Sequence, residues 1–362
     1  MNFIRARALL VSVALLPLDL AAAALLLLTE AARAPWRRRR SEVWDAPRRD
    51  SVVIQVLNWD GKHLLEECLP RLREAIAAAG GGHRVLVVDN GSQDGSVAYV
   101  REQFPEIQVL ELDRNFGFST GNNRGMAAID AGADIVVILN NDMLVDARFL
   151  KPLLDPFADP SVFAVSSQIF MADSAARREE TGKTRARFEN GLFYMWHDAI
   201  GVEDEARGPT PVFWAGGGSS AVDRRKFAAL GGFDPLYHPF YVEDVDLSYR
   251  AWKQGWKSLI APASRVTHRH RASTRRFGAG FIASVVRRNH FLFVWRNVTN
   301  VTMLIDHFVQ LPRSHARAVM QGGAALEIRA YLGAWLRLPL ALARRLTDPA
   351  GLDDPVVARQ AQ

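Results

Sequence analysis

Apolar and polar positions divide the chain into stretches with different periods. Residues 8–28, ALLVSVALLPLDLAAAALLLL, are apolar almost throughout and about as long as a bilayer core requires. Pro17 and Asp19 interrupt them, and a carboxylate inside a membrane is costly unless it is partnered. From residue 51 onward, short apolar runs recur, each closing on a polar cluster: SVVIQVLNWDG (51–61), RVLVVDNGSQDGS (84–96) and DIVVILNNDM (134–143). Unbroken β-branched runs without alternation predict strands buried on both faces, hence a parallel sheet. Between the first two, KHLLEECLPRLREAIAAAG sets apolar residues at helical spacing and stops on Gly. Strand–helix–strand repetition of this kind predicts an open α/β sheet. WAGGGSSAVDRRKFAALGGFD (214–234) reads as a Gly-rich loop, a strand and a short helix, whereas charged residues 172–208 predict a mobile loop or insertion.

From about residue 276 the pattern changes to apolar helices broken by Arg every turn or two. No charge-free stretch there is long enough to span a bilayer, and Trp, Phe and Leu with Arg on another face suit helices lying in a membrane interface. Amphipathic helices packed on the domain are the competing reading. The expected organisation is an N-terminal transmembrane anchor and basic linker (1–50), an α/β domain (51–275), interfacial helices (276–347) and a flexible tail (348–362).

Charge sharpens the membrane reading. The chain of 362 residues carries a net charge of +6 and a pI near 9.7, which favours anionic lipid, nucleic acid or phosphorylated ligands. RAPWRRRR (33–40) with Arg48 and Arg49 outweighs Arg5 and Arg7, so the positive-inside rule keeps the following domain cytoplasmic, on an inner membrane. A secretory signal cleaved near the ARA at 32–34 is the alternative. The Arg37 to Arg40 run reads as a clamp on lipid headgroups. Nucleic-acid binding would spread basic and aromatic residues over a folded surface and is not expected. The single cysteine, Cys68, excludes an internal disulfide and sits on an apolar helical face as a core thiol.

Candidate chemistry gathers where the strands should end: Asn58 and Asp60, Asp89 and Asn90, and Asn140 to Asp142. Ligands of open parallel sheets bind beyond the carboxyl ends of the strands, so these clusters converge on one crevice. No phosphate-cradling GxxxxGK[ST] and no strand-linked GxGxxG is present. A strand-end carboxylate such as Asp142 can instead hold a hard divalent cation that shares a diphosphate. YVEDVDLSYR (241–250) crowds Glu243, Asp244 and Asp246 together, which on its own reads as a solvated loop.

Taken in order, the segments at 51–61, 84–96, 134–143, NFGFSTGNNRGM (115–126) and GGFDPLYHPFYVEDVDLSYRAWKQGW (231–256) resemble the inverting glycosyltransferases of family 2. The NFGFxxGNN and FxxFYxEDVDLxxR patterns are similar to its rhamnosyltransferase-like branch. The resemblance spans roughly 51–275 and implies a GT-A fold, a Rossmann-like nucleotide-diphospho-sugar domain. It implies that Asn58 and Asp89 line the nucleotide, and that a loop bearing Asn115, Gly117 and Asn122 closes over the donor. It assigns Asn141 and Glu243 to the donor and acceptor side, Asp142 and His268 to a divalent metal (Mg2+ or Mn2+), and Asp244 to the catalytic base. Asp246 is expected to pair with Arg250 one turn later. His270, Arg271, Ser273 and Arg275 are expected to help neutralise the diphosphate. Trp214, Tyr237, Phe240 and Tyr241 are candidates for stacking on sugars, against a reading as packing aromatics. The NND at 140–142 carries an amide where the family pattern has its first carboxylate, which weakens metal binding. A processive member would carry QxxRW, where this chain has RRNHF, so a single sugar is expected to be added. The implied reaction takes one sugar, L-rhamnose from a dTDP carrier, to a lipid-linked or cell-envelope glycan acceptor. A UDP-hexose donor and a catalytically silent nucleotide-sugar scaffold are the rivals.

Overall fold

The computed structural model describes residues 2–36, 43–172, 180–269 and 277–361. Arg37 to Arg40 and the candidates His270, Arg271, Ser273 and Arg275 lie outside the described residues. The chain divides into two compact units: a helical one (1–41, 186–195, 274–359) and an α/β one (42–185, 196–273, 360–362). Helix α1 (Asn2–Arg33) belongs to the helical unit.

The α/β unit begins with β1 (Val53–Asn58), α2 (Lys62–Ala79), β2 (Arg84–Asp89), α3 (Ser96–Gln103) and β3 (Gln108–Glu111). It continues through α4 (Gly117–Ala128), β4 (Ile135–Asn140), β5 (Met143–Val145), α5 (Leu150–Leu154) and β6 (Val162–Met171). The chain then forms a hairpin of β7 (Thr184–Glu189) and β8 (Leu192–His197), of which 186–195 belong to the helical unit, and the α/β unit resumes with α6 (Val202–Arg207), β9 (Thr210–Pro211), β10 (Ser219–Asp223), α7 (Arg224–Ala229), α8 (Glu243–Lys253) and β11 (Lys257–His268). Nine strands form one sheet in the order β3-β2-β1-β4-β10-β6-β11-β5, with β9 on β11. The first four are parallel, as the unbroken apolar runs predict, and β10 enters antiparallel between β4 and β6. Alternate strand residues feed two cores. Val52, Ile54 and Val56 pack with Leu65, Leu69 and Leu72 of α2, while Val53 and Val88 pack with Met126, Phe227 and Leu247. Cys68 lies in the first of these, and burial pushes its thiol up to about 12, in keeping with an inert core role.

Register sets the strand ends level. Asn58 pairs with Asp89 across β1 and β2, and Leu57 pairs with Asn140 across β1 and β4. The three polar clusters therefore emerge along one edge. A cavity of about 490 Å³ lies at the opposite edge, lined by Arg48, Arg49, His83 and Lys151 among others, and contains none of the candidate residues.

The helical unit comprises α1 with α9 (Ala279–Asn297), α10 (Val301–Gly322), α11 (Ala324–Trp335), α12 (Leu338–Thr347) and α13 (Asp354–Gln360). Helix α1 runs along α10, and α9 packs on α11 and α12. Pro17 is accommodated inside α1 without ending it. Asp19 is buried: Tyr331 donates to it and His315 Nε2 lies 3.2 Å from its Oδ1. The carboxylate that weakened the apolar stretch thus has partners inside its own unit. Residues 3–33 are long and apolar enough to cross a membrane, and no other described helix meets the test.

Three local expectations change. Residues 172–208, read as a mobile loop or insertion, hold the β7–β8 hairpin and α6; 173–179 lie outside the described residues. Asn190 and Gly191, both at positive φ, form its tight turn. The supposed flexible tail contains α13, fastened by Asp354, whose carboxylate accepts from the Thr299 and Asn300 amides at 2.7 and 2.6 Å. Arg48, counted above toward topology, pairs with Asp134 at 2.9 Å, so that charge serves the folded domain.

Candidate active site

The strand-end residues are joined by hydrogen bonds. Asn141 Nδ2 donates to Asn58 Oδ1 at 2.7 Å, and Asn58 Nδ2 donates to Asp89 Oδ1 at 3.1 Å. Ser92 closes the ring: its amide donates to Asp89 Oδ2 at 2.9 Å and its hydroxyl accepts from Asn58 and from the Asp60 amide. Gly61 is required beside them, because a Cβ there would stand 2.2 Å from Asn141 Nδ2. Asn58, Asp89 and Asn141 are all buried, so the network pre-orders the turns after β1, β2 and β4.

Asn115 accepts from the Gly117 amide at 2.8 Å and from Asn90 Nδ2 at 3.0 Å. The stretch that sequence reasoning made a loop is here the start of α4, with Gly117 at φ +77° against the His238 ring. Asn122 lies inside that helix, fully buried, accepting from Gln55 Nε2 at 2.8 Å. It is therefore tied to β1. Gly- and Asn-rich composition disfavours a helix locally, and packing of Met126 and Asn122 against the sheet overrides it.

The acidic cluster forms the first turn of α8. It is entered through Tyr241 and Val242 at φ 70° and 78°, a left-handed pair whose second member is β-branched and therefore strained. Glu243 is 6% exposed and its Oε2 has no hydrogen-bond partner. Burial, then the neighbouring Asp244 charge, raises its pKa well above the ordinary carboxyl range. Asp244 is half-buried; its Oδ2 accepts from the Gly217 amide at 3.0 Å and its Oδ1 from the Val245 amide at 2.9 Å. Burial raises its pKa against the pull of those two amides, and the charge of Glu180 pushes the same way. Asp246 is fully buried between Tyr237 Oη and Arg250 Nε, each at 2.8 Å. Arg250 also donates to the Gly232 carbonyl at 2.8 Å, so Asp246 and Arg250 brace the turn ahead of α8. The crowded acids thus sit in a packed helix start, where a solvated loop was the reading from the residues alone.

At the end of β11, His268 stands opposite Met143, next to the turn that bears Asp142. His268 Nε2 lies 3.3 Å from Asp142 Oδ2 and its Nδ1 lies 3.0 Å from Glu180 Oε2. Burial alone would lower the imidazole pKa; the two carboxylates outweigh it and raise it to about 10. Asp142 is 6% exposed and its Oδ1 is buried without a partner. An unsatisfied carboxylate oxygen beside an imidazole nitrogen is a donor set that suits a divalent cation such as Mn2+. Among the described residues no group of three or more His, Cys, Asp or Glu is arranged to hold an ion alone. Further ligands would come from a phosphorylated substrate and water.

Of the stacking candidates, Tyr237 is fully buried, and Trp214 is 7% exposed, edge-on to His197 with its carbonyl accepting from Thr184 at 2.7 Å. Both are packing residues. Phe240 and Tyr241 stack edge to face at 4.9 Å, with Tyr241 exposed. Sequence reasoning missed Glu180, Ser92 and the Gly217 amide. Ser92 was findable from the turn pattern DNGS at 89–92. Glu180 lies 88 positions from His268 and carries no local signal.

Comparison with known proteins agrees with this architecture. Residues 51–217 match the family model "Glycosyl transferase family 2" and residues 135–342 match "Glycosyl transferase family group 2". An N-acetylglucosaminyl-diphospho-decaprenol L-rhamnosyltransferase of Mycobacterium tuberculosis is 31% identical over 218 residues, covering 55% of this chain and 71% of the relative. Polypeptide N-acetylgalactosaminyltransferase 16 of Mus musculus is 26% identical over 193 residues, 51% of this chain and 34% of its own length. GalNAc-T7, solved with UDP, GalNAc and Mn2+, superposes with a TM-score of 0.51 at 19% identity, covering 73% of this chain and 50% of that one. This chain therefore spans half of that structure and about a third of the mouse relative, and the shared part is the mixed α/β fold of the GT-A type. The chain belongs to glycosyl transferase family 2 and is a glycosyltransferase.

Proposed function

We propose that this glycosyltransferase moves a single L-rhamnose from a dTDP carrier to a lipid-linked envelope acceptor, with inversion at the anomeric carbon. The observation that carries the mechanism is Asp244 at the start of α8, oriented by the Gly217 and Val245 amides and more basic than an ordinary carboxylate. An acceptor hydroxyl is too weakly acidic to ionise first. Its oxygen attacks the anomeric carbon, Asp244 takes its proton as the bond forms, and the nucleoside diphosphate leaves from the opposite face. Glu243, holding its proton more tightly, is suited to donate a hydrogen bond to an acceptor oxygen. Asn58, Asp89, Asn115 and Asn141 order the turns that would receive the nucleotide. Asp142 and His268 would hold a divalent ion, which offsets charge growing on the leaving diphosphate.

The rhamnosyl donor is supported by the named activity of the Mycobacterium tuberculosis relative and by the motifs at 115–123 and 237–250. The membrane setting is supported by α1, whose Phe3, Leu9, Leu10, Val13 and Leu20 are exposed and apolar. Ile305 and Val309 on α10, Leu336 in the turn after α11 and Leu340 on α12 are likewise apolar and exposed, which suits a membrane interface. The catalytic domain would then face the cytoplasm.

Full-length protein in nanodiscs, offered dTDP-rhamnose or UDP-hexoses with a diphosphate-linked N-acetylglucosaminyl lipid, tests this by mass spectrometry of the product. One added deoxyhexose from dTDP-rhamnose is the expected result; turnover of a UDP-hexose alone would replace the donor. The single carboxylate of Asn140–Asn141–Asp142 favours a second reading, a silent nucleotide-sugar scaffold. That reading predicts nucleotide-induced thermal stabilisation without product.

A further inference from the structure

We propose that Glu180 is the positioning residue that aims His268 at the divalent ion; the inference rests on the assignment of Asp142 and His268 to that ion. Glu180 Oε2 is 3.0 Å from His268 Nδ1, while Nε2 of the same ring faces Asp142 Oδ2 at 3.3 Å. The two carboxylates therefore lie on opposite sides of one imidazole. A carboxylate accepting from Nδ1–H orients the ring and keeps that nitrogen protonated, so that Nε2 is the nitrogen that gives up its proton to an incoming cation and becomes the better donor to it. Glu180 thus acts through the ring and is not itself a ligand, in keeping with the absence of a three-residue metal group among the described residues.

The chain that carries Glu180 is built to hold it. Thr181 is 3% exposed, donates from Oγ1 to the Asp198 carbonyl at 2.6 Å and gives its own carbonyl to the Ile169 amide at 3.1 Å. Gly182 follows at φ +86°, where a Cβ would stand 2.3 Å from the Ser167 carbonyl, so the backbone is pressed against β6. A carboxylate with only a surface role needs no such mooring. The charge of Glu180 also reaches Asp244, whose proton affinity it raises.

Mn2+ titration of the metal-free full-length protein with dTDP present, followed by EPR, tests the assignment. Glu180→Ala is expected to weaken Mn2+ about 10- to 100-fold, the usual range for loss of such a partner. Glu180→Gln, which keeps an acceptor oxygen, should stay nearer the parent and guards against a folding artefact. Nitrogen coupling to bound Mn2+ should be present in the parent and absent in His268→Ala. If Glu180→Ala binds Mn2+ as the parent does while His268→Ala does not, Glu180 has no positioning role. If His268→Ala also keeps full affinity and the coupling, the metal assignment itself falls and takes this inference with it.

Discussion

Among the described residues there are two carboxylate–histidine–carboxylate arrangements, one in each unit, and their surroundings differ. In the α/β unit His268 joins Asp142 and Glu180; in the helical unit His315 joins Asp19 at 3.2 Å and Glu327 at 2.6 Å. The helical set is sealed, with side-chain exposures of 2% for Asp19 and 0% for His315 and Glu327. Tyr331 donates to Asp19, and Arg287 forks onto Glu327 at 2.9 and 3.0 Å. Those bonds fasten α1 to α10 and α11. The strand-end set is open, with Glu180 34% exposed, although each set leaves one carboxylate oxygen buried without a partner, Asp142 Oδ1 here and Asp19 Oδ2 in the helices. One chemical pattern thus serves cohesion where water is excluded and, on the function proposed above, ion binding where solvent reaches it.

The largest expected effect tests whether the open side is where chemistry happens. Asp244→Asn should lower transfer about 10²- to 10⁴-fold, because it removes a proton acceptor that acts in the transition state. Affinity for dTDP, measured by calorimetry, should stay close to that of the parent; a parallel collapse would move Asp244 into binding or folding.

Exchanging the two histidines sharpens the contrast further. His315→Ala strands Asp19 and Glu327 in a sealed interior and should cost about 3–5 kcal/mol of stability. The stabilisation of the folded remainder by Mn2+ with dTDP should survive. His268→Ala should do the reverse: a smaller loss of melting temperature, because its partner Glu180 reaches solvent, and loss of the Mn2+-dependent shift. Equal stability losses in the two variants would erase the distinction between cohesion and reactivity.

A smaller effect separates Glu243 from its neighbours through pH. Its folded pKa is raised above the ordinary value of 4.5, so the folded chain keeps a proton that the unfolded chain releases. The associated stability is complete below pH 4.5 and is lost as pH rises toward the folded pKa. Glu243→Gln should match the parent at the low end and gain on it at up to about 1.4 kcal/mol per pH unit as pH rises through this window. Melting temperatures of both proteins across that range read the gap. A gap that narrows with rising pH would mean that Glu243 is ionised in the fold.

Much of the α/β architecture is legible along the chain. The runs at 53–58, 84–89 and 135–140 are buried strands, and the polar residues that end them do meet, because parallel register aligns Asn58 with Asp89. The pairing of Asp246 with Arg250 was equally readable, being one helical turn apart. The start of α4 was not, since its Gly and Asn residues argue for a loop until Asn122 is seen bonded to Gln55, 67 positions away. The small carboxyl-terminal helix α13 was hidden for the same reason, its anchor being the amides of Thr299 and Asn300.

By itself, then, the sequence determined the strands, the amphipathic faces and the edge at which polar groups collect, since periodicity and turn chemistry act over neighbouring residues. Only the tertiary structure decided which charges face one another: Glu180 with His268 across 88 positions, and Asp19 with His315 across 296. Burial and electrostatic pairing depend on distance in space, and no local pattern encodes a partner that the fold brings in from so far along the chain.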